Sequence, residues 1–137
     1  MAAEQRGRGP RFRVDTLPAV YEICRLEADA DVPEWVAAAP QALLSVTRTE
    51  SELSIVCTGP IPAGVEHSRG WRAVRVLGTL EHTMTGVLVS LAGPLADAGI
   101  PIFAISTFDT DYLLVPGDAL DQALAALGDA GHTVAPR

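Results

Sequence analysis

The chain of 137 residues contains no lysine, and all ten of its basic residues are arginines. That excludes Schiff-base chemistry and a phosphate-binding loop lysine. Asparagine is absent as well. Aromatics supply 5% of the residues, so alanine, valine and leucine have to fill the core. The two cysteines, Cys24 and Cys57, lie in apolar, strand-like runs without metal-ligand spacing. They read as buried reduced thiols rather than a disulfide or a metal pair. His67, His82 and His132 are scattered and form no ligand motif, so no metal is expected. Positive charge is scarce, and a net charge of −7 argues against nucleic acid and anionic membrane surfaces. The N-terminus has no apolar signal-peptide core. The longest uncharged stretch, His82 to Ala96, is too short and too broken by glycine and proline to span a bilayer. These absences lead us to expect a soluble cytoplasmic protein with no cofactor and no membrane association.

What remains is a chain whose apolar fraction, 48%, supports a core without disulfides or metal. Residues 1–15 mix Arg6, Arg8, Arg11 and Arg13 with glycine and proline, and read as a flexible tail. Tyr21 to Leu26 reads as a strand, and Asp31 to Val36 as a short helix with Pro33 near its first turn. Leu43 to Arg48 and Leu53 to Cys57 read as a hairpin around Thr49 to Glu52. A loop from Gly59 to Gly70 marks a boundary between lobes. The first lobe, residues 16–65, is thus β-α-β-β and lacks a second helix.

The second lobe, residues 70–135, opens with a strand from Trp71 to Leu80. Thr85 to Ala98 reads as a helix with Leu88, Leu91 and Leu95 at helical spacing and Gly99 at its end. Pro94 inside it removes the hydrogen bond to the Ser90 carbonyl and predicts a kink. Two strands follow, Ile102 to Thr107 and Tyr112 to Val115. Asp118 is placed to cap a helix carrying Leu120, Leu124 and Leu127 on one face. Gly131 ends that helix, and His132 to Val134 is a last short strand. The pattern β-α-β-β-α-β predicts an α+β fold, an antiparallel sheet with both helices on one face.

The helix start Thr85-Gly86-Val87-Leu88 in this pattern resembles an ACT domain, the small amino-acid-sensing module of metabolic enzymes. The string from Ile105 to Val115 (ISTFDTDYLLV) narrows the resemblance to the aspartate-kinase-type branch. That branch includes the cytosolic arginine sensors and small stand-alone bacterial proteins. Ser45 to Thr49 and Glu52 to Cys57 resemble the N-terminal half of those bacterial proteins. The resemblance implies two ACT-like, ferredoxin-like lobes, the first truncated. It implies a non-catalytic regulatory protein and a homodimer. The ligand, a small amino acid or similar zwitterion, would lie between the first helix and the Ser-Thr turn. Carried over by position, the contacts are Thr85, Gly86, Val87, Ser106, Thr107, Phe108 and Asp111. The arginine sensors carry an acidic residue two positions ahead of the glycine, where this chain has Met84. That departure favours a neutral side chain on the ligand.

Each candidate also has a structural explanation. Unpaired N–H groups at Gly86, Val87 and Leu88 suit a carboxylate at the positive end of the helix dipole. Alternatively, Thr85 simply caps the helix. Asp111 can take an α-ammonium in a charge-assisted bond, or bond its own backbone as turn aspartates do. Ser106 and Thr107 are ligand donors or ordinary strand-end hydroxyls. Phe108 is a lid over a ligand or a core residue. No general base lies near a nucleophile in the sequence, so no catalysis is expected. The competing function is an interaction module that has kept the fold without the ligand.

Overall fold

The computed structural model describes residues 9–38 and 41–136. Residues 1–8 of the expected tail lie outside the described residues. The rest of that span is not a tail, because Arg13 to Asp15 already belong to the first strand. The strands are β1 (Arg13–Leu26), β2 (Ser45–Arg48), β3 (Leu53–Thr58), β4 (Glu66–Val76), β5 (Phe103–Ser106), β6 (Asp111–Pro116) and β7 (Thr133–Val134). The helices are α1 (Val87–Asp97) and α2 (Leu120–Asp129), with 3-10 turns at Glu34–Ala37 and Gly117–Ala119. The fold is therefore α+β with mostly antiparallel strands and two helices. The antiparallel expectation needs one correction: β1 and β7 run parallel, with Arg13 opposite Thr133.

The chain divides into two compact units, residues 19–71 and residues 1–18 with 72–137. Two long strands contribute to both. β1 changes unit after Pro18 and β4 after Trp71. Pro18 and the polar residues around it hid the first half of β1, since proline argues against a strand interior. Gly70, at φ 78°, likewise made the start of β4 look like loop.

In the unit of residues 19–71, β1 pairs antiparallel with β3 through Tyr21 to Leu26, and β3 pairs with β2. Alternate strand residues bury one face: Cys24, Leu53, Ile55 and Cys57 pack with Val36 from the 3-10 turn. Burial first, and then the neighbouring Cys57, pushes the Cys24 thiol up to about 12; burial raises Cys57 too. Both cysteines are free.

In the other unit the strand order is β7-β1-β4-β6-β5. Both helices bury their apolar sides in a single cluster with Val14, Val74, Val76, Leu113 and Val115. The buried side of α1 consists of Val87, Ser90, Leu91 and Leu95, not Leu88, which is exposed. Likewise α2 buries Leu120, Ala123 and Leu127, with Leu124 only partly covered. Asp118 makes no side-chain cap and sits instead in the 3-10 turn that leads into α2. Pro94 lies inside the continuous helix α1.

Candidate functional site

β5 and β6 form a hairpin whose last pair is Ser106 opposite Asp111. Thr107 ties the turn. Its N–H donates to the Thr110 carbonyl at 2.8 Å and its hydroxyl to the same oxygen at 3.0 Å. The Thr110 hydroxyl, almost fully buried, donates 2.7 Å to the carbonyl of Val76 at the end of β4. The loop that follows β4, residues 77–86, is joined to the turn at two further points. Leu80 N–H donates to the Asp109 carbonyl at 2.7 Å, and His82 Nε2–H donates to the Phe108 carbonyl at 2.7 Å. The His82 ring also meets Phe108 edge-on at 4.5 Å between centroids.

That loop ends at Gly86, which holds a left-handed φ of 77° at the N-cap of α1. Only glycine adopts this conformation without strain. No side chain caps the helix, so the Thr85 cap is not formed. The first-turn N–H groups therefore lack the side-chain acceptor that helix starts usually have.

Between loop, helix start and hairpin lies a concave pocket of about 390 Å³. Five of the seven residues named from the sequence line it: Gly86, Val87, Ser106, Phe108 and Asp111. Thr85 and Thr107 do not, and the Thr107 hydroxyl is spent inside the turn. Phe108 is 79% exposed, so of its two readings core packing does not hold. Asp111 is buried at 8% exposure, and among the described residues nothing bonds its carboxylate. It pairs with Ser106 as the closing pair of the hairpin, so it lies at the first residue of β6 and not in the middle of the turn. The Ser106 hydroxyl is likewise unengaged among the described residues and exposed.

Sequence reasoning missed Glu81 and His82, both of which line the pocket with Met84, Asp109 and Thr110. They sit in a loop with no motif, and nothing in their spacing pairs them with residues of the hairpin. With them the pocket holds three carboxylates, Glu81, Asp109 and Asp111, against one imidazole and no arginine. The helix start adds the positive end of its dipole to the pocket. Chemically, the arrangement offers backbone donors for one anionic group and carboxylates for one or more cationic ones. Among the described residues no cluster of metal-ligating side chains occurs. No helix among them is long and apolar enough to cross a membrane.

A family model described as an ACT domain matches residues 66–129, and a model of an N-terminal domain matches residues 19–63. A solved protein from Agrobacterium tumefaciens is 38% identical, with a TM-score of 0.84, over 92% of this chain and 93% of that one. The human protein named cytosolic arginine sensor for mTORC1 subunit 1 is 41% identical over 58 residues. That match takes in 42% of this chain and only 18% of the length of the sensor. Aspartate kinase from Clostridium acetobutylicum shares the fold, with a TM-score of 0.63 and 11% identity over 90% of this chain and 35% of the kinase.

Proposed function

We propose that this chain, which belongs to the ACT-domain family, is a non-catalytic regulatory protein that binds a free amino acid or a similar zwitterion. One observation carries the reading. A single pocket combines the uncapped start of α1 with Asp111, a largely buried residue that lines the pocket and whose carboxylate has no partner among the described residues. An α-carboxylate fits the N–H groups of Val87 and Leu88, with Gly86 letting it approach the backbone. An α-ammonium fits Asp111, with Ser106 beside it as a further hydrogen-bonding group. Thr107 supports the site by shaping the turn, and Phe108 stands at its rim as the cover. Thr85 falls outside the proposed contacts.

The three carboxylates exclude ligands with acidic side chains, through like-charge repulsion. Met84 favours a neutral side chain, whereas Glu81 offers a partner to a basic one. Comparing methionine or leucine with arginine decides between these two residues. We read residues 16–65 as a truncated ACT-like lobe and residues 70–135 as a complete one, and the protein as a homodimer. The resemblance to an arginine sensor and to regulated kinases supports a regulatory role. A second reading, an interaction module without a ligand, draws on the exposed apolar residues Met84, Leu88 and Phe108 that line the pocket.

Thermal unfolding with each of the twenty amino acids at millimolar concentration tests the reading. A ligand at a hundredfold excess over its dissociation constant adds about 2.7 kcal/mol. For a domain of this size that raises the melting temperature by about 5–15 °C. One or a few amino acids should do this, and their amides and decarboxylated amines should not. No response to any of the twenty would remove the sensor and leave the interaction module.

A further inference from the structure

Pro94 has no N–H, so the carbonyl of Ser90, four residues earlier in α1, loses its helical partner. A buried acceptor left unpaired is costly. The structure fills the gap with His132, itself 6% exposed, whose Nε2 lies 2.8 Å from the Ser90 oxygen. A carbonyl only accepts, so Nε2 carries the proton. In the neutral ring Nδ1 is then an acceptor, and it receives the N–H of Phe12 at 3.1 Å. The Phe12 ring stacks on the imidazole with centroids 6.1 Å apart. Ser90 completes the arrangement by donating its hydroxyl to the Pro10 carbonyl at 2.6 Å.

These bonds hold the segment from Gly9 to Phe12 against the first turn of α1. The approach is close: a Cβ on Gly9 would sit 3.1 Å from the Ser90 Cβ, and one on Gly86 would sit 3.7 Å from Pro10. The strap therefore leans on the residue that starts the helix and lines the pocket. Charging His132 breaks this arrangement at one point. Both ring nitrogens become donors, the bond to Ser90 survives, and Nδ1–H then faces the Phe12 N–H.

We propose that His132 is a protonation switch that ties Phe12, the last residue of the strap Gly9–Phe12, at the start of α1 when neutral and frees the Phe12 N–H when charged. The sign follows from linkage. The fastened state excludes the proton, so fastening is complete at high pH and is lost as pH falls through the titration of His132. The charged groups nearest it on the elements around it are Arg11, Arg13 and Asp15 on the N-terminal side, Asp15 being paired with Arg75, Asp97 at the far end of α1, and Asp121 and Asp129 on α2. Arg11 lies against Gly131, next to His132 in the chain. The peptide beyond the strap stays paired, because Thr133 N–H donates to the Phe12 carbonyl at 2.9 Å independently of the imidazole.

The test is a pH titration of the full chain by nuclear magnetic resonance, from about pH 8 to about pH 5, the span in which histidine charge usually changes. Imidazole nitrogen shifts report the charge on His132. Amide exchange, corrected for its intrinsic pH dependence, reports fastening at Phe12. The expected result is a fall in Phe12 protection of about tenfold per pH unit once His132 charges. The Gly86 and Val87 amides should shift with the same midpoint, while Thr133 stays protected. His132→Phe keeps the stacking and should leave Phe12 unprotected at every pH. If that variant does not fold, Ser90→Ala retains the imidazole bonds and should show the Phe12 loss at the His132 midpoint. A His132 that charges with Phe12 still protected, or that stays neutral until the fold is lost, would overturn the proposal.

Discussion

In the hairpin of β2 and β3, Arg48 stands opposite Leu53 across residues 49–52; in that of β5 and β6, Ser106 stands opposite Asp111 across residues 107–110. The turns are built alike. Thr49 N–H donates to the Glu52 carbonyl at 2.9 Å, as Thr107 N–H does to Thr110 at 2.8 Å. In each, the threonine hydroxyl accepts a backbone N–H from across the turn. The difference lies at the closing pair. Leu53 is wholly buried in an apolar cluster, and Arg48 donates to the carbonyls of Ala28 and Ala30, joining its hairpin to the loop after β1. At the matching positions, Asp111 and Ser106 line an open pocket beside the loop after β4. One backbone design thus serves a closed junction in one unit and a pocket in the other. Two side chains make the difference.

The largest effects fall where the hairpins are alike. Ile55 and Leu113 occupy matching core positions and are both fully buried. Replacing either with alanine should cost about 2–5 kcal/mol in chemical denaturation. A loss from only one of them would break the likeness. The closing pair comes next. Asp111→Leu gives the second hairpin the residue of the first. It should weaken the amino acid found in the thermal screen by about 1.5–3 kcal/mol, or tenfold to a hundredfold, as read by calorimetric titration. Unchanged affinity in the folded variant would make Asp111 a structural residue only. The turn hydroxyls come last. Thr49→Ala and Thr107→Ala should each lose about 0.5–1.5 kcal/mol of stability, by similar amounts. A large ligand effect from Thr107→Ala without a stability loss would return Thr107 to the binding contacts.

Both hairpins were legible in the sequence because their apolar residues alternate or run unbroken between polar turns. The helices were legible from their leucine spacing, and Leu91, Leu95, Leu120 and Leu127 are buried as that spacing implies, but Leu88 and Leu124 are not. Leucine, valine and alanine are all apolar, and only packing decides that Val87 rather than Leu88 faces the core. β1 was half hidden by Pro18, and the strand half of residues 66–70 by Gly70. Of the residues that line the pocket, Gly86, Val87, Ser106, Phe108 and Asp111 were legible in the sequence. Glu81 and His82 were not, since their role depends on where a loop without a motif crosses the turn. The strap was equally hidden: Pro94 announces a free carbonyl at Ser90, but no spacing connects residue 90 with residue 132.

The claim that only one hairpin holds a ligand is tested most directly by titrating the isotope-labelled chain with the most stabilising amino acid and following backbone amide shifts. The account predicts saturable changes at Val87, Leu88 and Ser106 to Asp111, with Arg48 to Leu53 unmoved. Changes centred on Arg48 to Leu53, or none at the start of α1, would contradict it.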